Sequence, residues 1–262
     1  MSESGLQELL DRAAGLLAGA KRVVVFTGAG ISTESGIPDF RSPGGVWENY
    51  TPVYYNDFIA SEEARKEYWR FHVDMYSVID EAKPNAAHLA IAELHAMGIL
   101  DCVITQNVDF LHQRAGVPDE KVIELHGTVK WVDCLKCGTR FERKSIQKRL
   151  DAGEEAPRCE RCGGILKPAT VSFGQAMPER ETSEAISRAR RCDLCLTAGS
   201  SLVVYPAAQI PEYAFQGGAK LIIVNMTRTH LDAYADVVIY EKLGVVLPAV
   251  VERAKARRQQ LR

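Results

Sequence analysis

Long apolar runs, an excess of one charge and a leader-like pattern are all missing from this sequence. No apolar run approaches the roughly 18 residues that a membrane-spanning helix needs, so we expect no membrane association. The 262 residues carry 32 Lys and Arg against 34 Asp and Glu, a balance that gives no reason to expect direct nucleic-acid binding. The first residues also lack the basic-then-apolar order of a secretion signal. We therefore expect a cytoplasmic protein.

Cysteine is present in an odd number, seven, which argues against a framework of disulfide bonds. Four of these residues form two Cys-x-x-Cys pairs, each followed by glycine: Cys134 with Cys137, and Cys159 with Cys162. Backbone amides in such turns can point at sulfur, and four thiolates complete a tetrahedral zinc site without leaving a position for substrate. The pattern therefore predicts one structural zinc ion.

A further Cys-x-x-Cys pair, Cys192 with Cys195, leads into a predicted strand. Residues three apart in a strand face opposite sides, so we expect no metal at this pair. Cys102 also falls in a predicted strand and is most simply interpreted as a core residue.

The first sign of a binding site lies at residues 23–41. Residues 23–26 are a short β-branched apolar run, typical of a parallel strand buried on both faces. Gly28 and Gly30 follow directly, and such a pair allows a tight turn and close approach to a diphosphate. The third glycine, Gly36, does not complete the usual G-x-G-x-x-G spacing. A plain strand-to-helix turn therefore remains an alternative at this point.

Polar residues follow this glycine pair. Ser32, Thr33 and Ser35 can start or cap a helix whose N-terminus attracts anions. Asp39-Phe40-Arg41 then places a carboxylate, an aromatic ring and a guanidinium just beyond the predicted phosphate loop. These three side chains are candidates for holding the reactive end of a dinucleotide.

Two other predicted strands end in polar side chains. The strand at 102–105 leads into Gln106-Asn107-Val108-Asp109, and the strand at 122–125 leads into His126. Ligands of open α/β sheets bind at the carboxyl ends of strands, so we expect these side chains at one site. Imidazole accepts a proton near neutral pH, which suits His126 to the role of general base. A core histidine is an equally open interpretation, and for His88 and His112 on predicted helices we expect structural hydrogen bonds.

The alternation of strands and helices predicts an α/β fold with a doubly wound, mainly parallel sheet. Residues 42–83 are rich in aromatic side chains and predict a glycine-containing cofactor loop followed by a small helical module. Residues 129–168 hold the two cysteine pairs and predict an inserted zinc-binding module. The remaining segments, 1–41, 84–128 and 169–262, would together form the nucleotide-binding domain.

Taken together, these motifs resemble the sirtuin (Sir2) family in its short prokaryotic-type form. The order and spacing also match, and the resemblance covers about residues 20–250. The matching pieces are Gly28 to Arg41, Thr105 to Asp109, Leu125-His-Gly127, the four zinc cysteines, Phe173-Gly174 and Gly199 to Ala207.

The resemblance implies a Rossmann-like domain that carries the zinc and helical modules. Sirtuins consume NAD to remove acyl groups, chiefly acetyl, from protein lysine side chains, giving nicotinamide and O-acyl-ADP-ribose. An ADP-ribosyltransferase on the same scaffold is the main alternative, because it would share every NAD residue. A binding module without catalysis and a hydride-transfer dehydrogenase are weaker alternatives.

The resemblance also implies roles for individual residues. Those that would bind NAD are Gly28, Ala29, Gly30, Ser32, Asp39, Phe40, Arg41, Gln106, Asn107, Asp109, Gly199, Ser200, Ser201 and Asn225. Those that would contact an acyl-lysine peptide, bound as an added strand, are Val108, Val171, Phe173, Gly174, Val204, Tyr205 and Pro206. Catalysis would fall to His126 as general base, together with Asn107 and Asp109.

Two departures from the family pattern are visible. Gln175 stands after Phe-Gly, where many sirtuins carry an acidic residue, and this puts the peptide preference in doubt. Ser200 replaces the commoner threonine, and we expect its hydroxyl to serve equally.

The acyl pocket is expected to be apolar and to take uncharged acyl groups. Sirtuins that remove succinyl groups hold the distal carboxylate with a Tyr-x-x-Arg pair, and no tyrosine between Ser42 and Ile79 has arginine three residues on. A carboxylate buried without a partner would lose several kcal/mol of hydration. The expected apolar walls are Phe40, Val108, Val171 and Phe173.

Overall fold

The computed structural model describes residues 3–260. The helices are α1 (Glu3–Gly19), α2 (Tyr55–Ala60), α3 (Glu62–Glu81), α4 (Ala86–Ala96), α5 (Leu111–Arg114), α6 (Arg143–Asp151), α7 (Glu179–Arg191), α8 (Ile210–Gln216) and α9 (Leu243–Gln260). The strands are β1 (Val23–Thr27), β2 (Leu100–Thr105), β3 (Val122–Glu124), β4 (Gly127–Cys134), β5 (Arg140–Glu142), β6 (Leu166–Thr170), β7 (Leu194–Ala198), β8 (Lys220–Val224) and β9 (Val237–Ile239). No helix within residues 3–260 is both long and apolar enough to cross a membrane.

Six strands form one parallel sheet in the order β3-β2-β1-β7-β8-β9. This is the strand order of a doubly wound Rossmann sheet, so the predicted fold class is confirmed. All five residues of β1 and all five of β7 are buried, because helices cover both faces of the sheet centre. From β1 the strands are added outward in one direction to β3, and from β7 in the other direction to β9. This switch in strand order opens a crevice at the carboxyl ends of β1 and β7.

Helices cover the sheet in two layers. One apolar cluster joins α1, α4 and α9 to one face, and another joins α7 and α8 to the opposite face. Near the basic end of α9, Arg253 and Arg257 both contact Asp11 of α1.

The cysteine-bearing insertion has its own small antiparallel sheet, in the order β5-β4-β6, with α6 beside it. Its β4 begins directly after His126, and its β6 ends just before the next cavity-lining segment. Both strands therefore extend beyond the expected 129–168 limits and lead directly into the main domain. Trp69 of α3 packs into the apolar core of this insertion.

The helix predicted to begin at Ser32 to Ser35 is wrong. Residues 29–31 and 33–35 form two 3-10 turns instead, and the next α-helix in the described chain is α2. Gly36 adopts a left-handed φ of 88° and ends the second turn. Pro38 follows without a backbone N–H for continuing the helix, so the chain leaves the sheet edge as a loop.

Strand β6 ends at Thr170, where its last pairing with β4 joins Thr170 to Gly127. Beyond it, the Val171 N–H still donates to the His126 carbonyl at 2.9 Å. The residues that follow are therefore free to line the cavity.

Candidate active site

A cavity of about 1300 Å³ opens at the carboxyl edge of the main sheet, between the sheet, the 39–54 loop and α3. Every residue that the sequence assigned to NAD, to the peptide or to catalysis lines this cavity. The structure therefore brings the whole predicted set together, while the role of each residue stays a prediction.

Two glycine loops contact each other at the bottom of this edge. Gly30 N–H donates to the Gly199 carbonyl at 2.9 Å. A Cβ on Gly28 or on Gly30 would lie 2.8 or 2.9 Å from that same carbonyl oxygen, too close for a side chain. The glycines are thus required by backbone packing between the ends of β1 and β7, in addition to any approach of a diphosphate.

A side-chain bridge ties β2 to the same two loops. Gln106 Nε2 donates to Ser200 Oγ at 2.9 Å. Ser200 Oγ in turn accepts the Leu202 N–H at 3.3 Å. The Ser200 hydroxyl thus accepts two hydrogen bonds in the cavity wall and keeps its own hydrogen to donate, while its role toward NAD in place of the commoner threonine stays a prediction.

The carboxylate of Asp109 is held by two donors. Ser32 Oγ donates to Asp109 Oδ2 at 2.7 Å, and the Leu111 N–H donates to Oδ1 at 2.9 Å. Asn107 Nδ2 donates to the same Ser32 hydroxyl at 3.1 Å. Asp109, Asn107 and Ser32 are all buried, so these bonds fix one arrangement of carboxylate and amide.

The His126 ring is oriented by the backbone of β2's end. Its Nδ1 lies 3.0 Å from the Gln106 carbonyl oxygen, which can only accept, so Nδ1 carries the hydrogen. The other nitrogen, Nε2, then holds a lone pair when the ring is neutral. Burial lowers the pKa of His126 below 6.5, although the bond to Gln106 acts in the opposite direction. The ring is therefore neutral at neutral pH, as a general base must be.

The loop after the 3-10 turns is shaped by Asp39. Its Oδ1 accepts the N–H groups of Arg41 and Ser42 at 3.0 and 2.8 Å. Burial alone would raise the pKa of Asp39, but these hydrogen bonds and the Arg41 charge lower it overall. Phe40 stays 36% exposed, with its ring 5.2 Å from that of Trp47.

Two segments form the opposite rim of the cavity. The first is Phe173-Gly174, where the Phe173 carbonyl accepts the Tyr55 N–H at 2.9 Å. The second is Val204 to Pro206, in which Tyr205 is 58% exposed and precedes a cis proline. Gln175 turns back on its own loop, since its Oε1 accepts the Ser172 N–H at 3.1 Å.

Asn225 lies at the carboxyl end of β8. It is buried, and its Nδ2 donates to the Thr227 carbonyl at 2.9 Å and to the Thr227 hydroxyl at 3.1 Å. These bonds leave the side-chain oxygen as the group available to a ligand at this end of the cavity.

The motifs missed a row of cavity residues on α3. Tyr68, Phe71, His72, Met75 and Ile79 line the cavity from one face of that helix. Their spacing is the i, i+3, i+4, i+7 pattern of a helix face, so periodicity could have found them. His72 is held by the Tyr68 carbonyl at 2.8 Å, and burial lowers its pKa to about 3.

Trp47, which the sequence motifs give no role, belongs to the aromatic side of the cavity. Its ring lies 5.8 Å from Phe173 and 6.2 Å from Phe71. Trp47 thus connects the loop, α3 and the rim segment through ring contacts. Nothing in its sequence neighbourhood shows which of these it would meet.

The four predicted metal ligands form one cluster in the insertion. The sulfur atoms of Cys134, Cys137, Cys159 and Cys162 lie within 4.8 Å of one another. Cys134 and Cys162 sulfurs are 3.5 Å apart, and Cys137 and Cys159 sulfurs are 3.8 Å apart. Tetrahedral zinc with bonds of about 2.3 Å needs sulfurs about 3.8 Å apart, so the residues fit the ion.

The two turns of this cluster share one geometry. Gly138 N–H donates to the Cys134 carbonyl at 2.9 Å, and Gly163 N–H donates to the Cys159 carbonyl at 2.8 Å. Both glycines have a left-handed φ, 69° and 66°. Cys195 lies instead in the apolar core of the main sheet, outside this cluster.

Comparison with known proteins decides the family. A sequence profile of the Sir2 family matches residues 28–206, more than half of the chain. The chain belongs to the Sir2 family. The chain is 46% identical over 244 residues to an NAD-dependent protein deacetylase 1 of Bradyrhizobium diazoefficiens, covering 93% of this chain and 96% of that one. It is 45% identical to an NAD-dependent protein deacylase 2 of Archaeoglobus fulgidus, with 97% and 100% covered.

Solved Sir2 structures have the same fold. One, described as a basis for the mechanism and regulation of Sir2 enzymes, matches with a TM-score of 0.87 at 46% identity and covers 96% of this chain and 100% of its own. Another, a Sir2 protein with a deacetylated p53 peptide and 3′-O-acetyl-ADP-ribose, matches with a TM-score of 0.85 at 39% identity, covering 94% and 97%. The predicted family is confirmed, and with it the enzyme class, an NAD-dependent protein deacetylase or deacylase with a structural zinc site.

Proposed function

We propose that this Sir2 chain removes uncharged acyl groups, chiefly acetyl, from lysine side chains, and that His126 is its general base. The observation that carries the proposal is the hydrogen bond between His126 Nδ1 and the Gln106 carbonyl. This bond leaves the Nε2 lone pair available on a neutral ring that lines the cavity.

The chemistry requires such a base after nicotinamide has left. Departure of nicotinamide gives the ribose C1′ oxocarbenium character, and the acyl oxygen of the lysine amide must lie within near-attack distance of it. Bonding of the acyl oxygen to C1′ turns the lysine amide into an imidate. His126 then accepts a proton from a ribose hydroxyl, so that the hydroxyl oxygen can attack the imidate carbon. Phe40, which is partly exposed beside Trp47, covers C1′ and keeps water and nicotinamide away. The lysine amine leaves from the imidate carbon, and one water molecule then adds to the acyl carbon and leaves a hydroxyl on C1′. The products are therefore free lysine, nicotinamide and O-acyl-ADP-ribose, with one water consumed.

We assign NAD to the sheet edge. Asn107 and Asp109 hold the nicotinamide and its ribose, since they are buried and fixed through Ser32. The loops at residues 28–30 and 199–201 hold the diphosphate and part of the adenosine half, because they line the cavity at the carboxyl ends of β1 and β7. Asn225 contacts the adenosine through its free side-chain oxygen.

We assign the peptide to the rim, as a strand inserted between two segments. Phe173-Gly174 and Val204 to Pro206 line the cavity and carry exposed side chains at Phe173 and Tyr205. An extended peptide between them would gain backbone hydrogen bonds and side-chain pockets, as in β-augmentation. Gln175 has an uncharged amide, so it offers the peptide no acidic group, and its side-chain oxygen is already bound within its own loop.

The acyl group would enter between the rim and the aromatic side of the cavity. Phe40, Val108, Val171 and Phe173 line the cavity as expected, and Trp47 adds a further apolar wall. Position 71, three residues after Tyr68, is phenylalanine, with its ring 5.0 Å from Tyr50. The lysine and arginine residues among the described cavity lining are Arg41, Arg70 and Lys242, and all three are exposed. Apolar walls without a buried cation favour uncharged acyl groups.

We also propose the division of the chain into three parts. The nucleotide-binding domain comprises residues 1–41, 84–128 and 169–262, with the helical module at 42–83 and the zinc-binding module at 129–168. The separate antiparallel sheet β5-β4-β6 of the insertion supports a distinct zinc-binding module, which contacts the helical module through Trp69 of α3.

The direct test is incubation of the purified chain with NAD and an acetyl-lysine peptide, read by mass spectrometry. We expect free lysine peptide, nicotinamide and O-acetyl-ADP-ribose in equal amounts. Nicotinamide release with ADP-ribose attached to protein, and no deacetylated peptide, would contradict the proposal and favour the transferase alternative.

A further inference from the structure

A chain of buried hydroxyl groups lies behind Asn107. The Asn107 backbone N–H donates to Thr105 Oγ1 at 3.0 Å, and Thr27 Oγ1 donates to the same atom at 2.8 Å. His112 Nε2 lies 3.0 Å from Thr27 Oγ1. Thr27, Thr105 and His112 are at most 3% exposed, so bulk water does not compete for these bonds.

The hydrogen positions follow from counting donors. The one hydroxyl hydrogen of Thr27 is used on Thr105, so the hydrogen between Thr27 and His112 belongs to His112 Nε2. Burial, with a contribution from the neighbouring His88, lowers the pKa of His112 to about 3. The ring is therefore neutral, with its single hydrogen on Nε2.

The far end of this chain is the peptide group between Gln106 and Asn107. Its N–H is bound by Thr105, and its carbonyl accepts from His126 Nδ1 at 3.0 Å. One peptide plane thus joins the hydroxyl chain to the ring proposed as general base. The adjacent Gln106 N–H is fixed separately, since it donates to the Thr27 carbonyl at 3.0 Å.

We infer that His112 is a positioning residue, which acts through Thr27, Thr105 and the Gln106–Asn107 peptide group on both Asn107 and His126. When the His112 hydrogen bond is lost, the Thr27 hydroxyl can rotate away from Thr105, and the peptide plane can tilt. The tilt moves the Asn107 amide and weakens the carbonyl bond that orients His126. This inference rests on the proposed roles of Asn107 and His126.

The test compares two substitutions at one position. His112→Phe keeps the ring volume but has no donor, whereas His112→Gln can present an amide N–H near the Nε2 position. We expect His112→Phe to lower kcat/KM for NAD by about 10-fold, with the peptide KM within about 2-fold, and His112→Gln to restore most of the loss. A folded His112→Phe enzyme with unchanged kcat/KM would overturn the inference.

Thr27→Val gives a second, independent variant, because it removes the hydroxyl through which His112 acts. If His112 acts only through Thr27, the double variant His112→Phe/Thr27→Val should have a kcat/KM for NAD no more than about 2-fold below that of the more impaired single variant. If the loss in kcat/KM of the double variant equalled the product of the two single losses, the inference would be contradicted. Thr197→Val is the matched control, since Thr197 is a buried threonine on β7 whose hydroxyl bonds to no oxygen or nitrogen among the described residues. It should leave activity unchanged.

A readout that needs no activity separates this inference from the proposed function. NMR titration of the His126 ring in the enzyme without substrates reports the bond to Gln106 directly. Since that bond raises the pKa of His126, we expect His112→Phe to move the titration to lower pH and His112→Gln to restore it. An unmoved titration in folded His112→Phe would overturn the inference, even if the chain proved to be a deacylase. A moved titration would support it, even if deacylation failed.

Discussion

The two sides of the cavity are built in different ways. The sheet edge is fixed by short hydrogen bonds between buried groups, such as Ser32 to Asp109 at 2.7 Å. The loop side, residues 39–54, has one 3-10 turn at Val46–Glu48 and is joined to its surroundings mainly by ring contacts around Trp47. Hydrogen bonds restrict distance and direction more tightly than ring contacts do. We therefore expect positional precision from the sheet edge and selection of the acyl group from the loop side.

The largest expected effect comes from the edge. His126→Ala should reduce deacylation by about 10²–10⁴-fold, the range for a lost acid–base group, without changing zinc content. Exchange of labelled nicotinamide into NAD should persist, because the base acts only after nicotinamide leaves. His95→Ala is the control, since His95 lies outside the cavity lining. Deacylation by His126→Ala within a few-fold of the parent would contradict the role.

The loop side is expected to determine which acyl groups the enzyme removes. On matched peptides, kcat/KM for acetyl-lysine should exceed that for succinyl-lysine by at least about 10²-fold, equivalent to roughly 3 kcal/mol of transition-state binding. Arg70→Ala should leave this ratio unchanged, because the Arg70 side chain is exposed at the cavity wall. Equal activity on succinyl-lysine, or a ratio that depends on Arg70, would show that a cation reaches the acyl group.

A smaller effect is expected from Asp109→Asn. Both carboxylate oxygens accept hydrogen bonds, one from the Ser32 hydroxyl and one from the Leu111 N–H. In Asp109→Asn, the amide NH2 group would replace one acceptor and would face one of these donors. Such a mismatch costs about 1–3 kcal/mol, and we expect NAD-dependent deacylation and nicotinamide exchange to fall together by about 10–10²-fold. The exposed Asp119, in the turn before β3, offers Asp119→Asn as a control. A change confined to the peptide KM would mean that the role is misassigned.

The smallest effect on catalysis is expected from the four-cysteine cluster, none of whose residues lines the cavity. Cys159→Ala should abolish the one zinc ion per chain and lower the melting temperature, because one of four ligands is lost. The kcat/KM of the fraction that stays folded should change only a few-fold. Cys195→Ala should leave metal content unchanged. A metal-free, equally stable and fully active Cys159→Ala protein would refute a structural role.

Much of the edge could be predicted from the sequence, because its residues follow strands directly. A buried apolar run followed by polar residues indicates a parallel strand and its ligand-binding end, as for Gln106 to Asp109. The zinc ligands were equally accessible, since both cysteine pairs are local turns with glycine in a left-handed conformation.

What the sequence did not show depends on contacts between distant residues. Thr27 and His112 are 85 positions apart, and neither has a local pattern that predicts the bond between them. The same holds for the need for Gly30, which arises from the Gly199 carbonyl in the loop after β7. The predicted helix at Ser32 failed for this reason as well, because the Ser32 hydroxyl bonds Asp109 instead of capping a helix.

The central claim is that the sheet edge holds His126 as a neutral base, and the pH dependence of kcat/KM tests it most directly. A base works only when unprotonated, so activity should fall as pH drops through the pKa of His126. Because burial lowers that pKa, the acid limb should lie below pH 6.5 in the parent enzyme and should vanish from the residual activity of His126→Ala. An acid limb above pH 6.5, or the same limb in His126→Ala, would contradict the account.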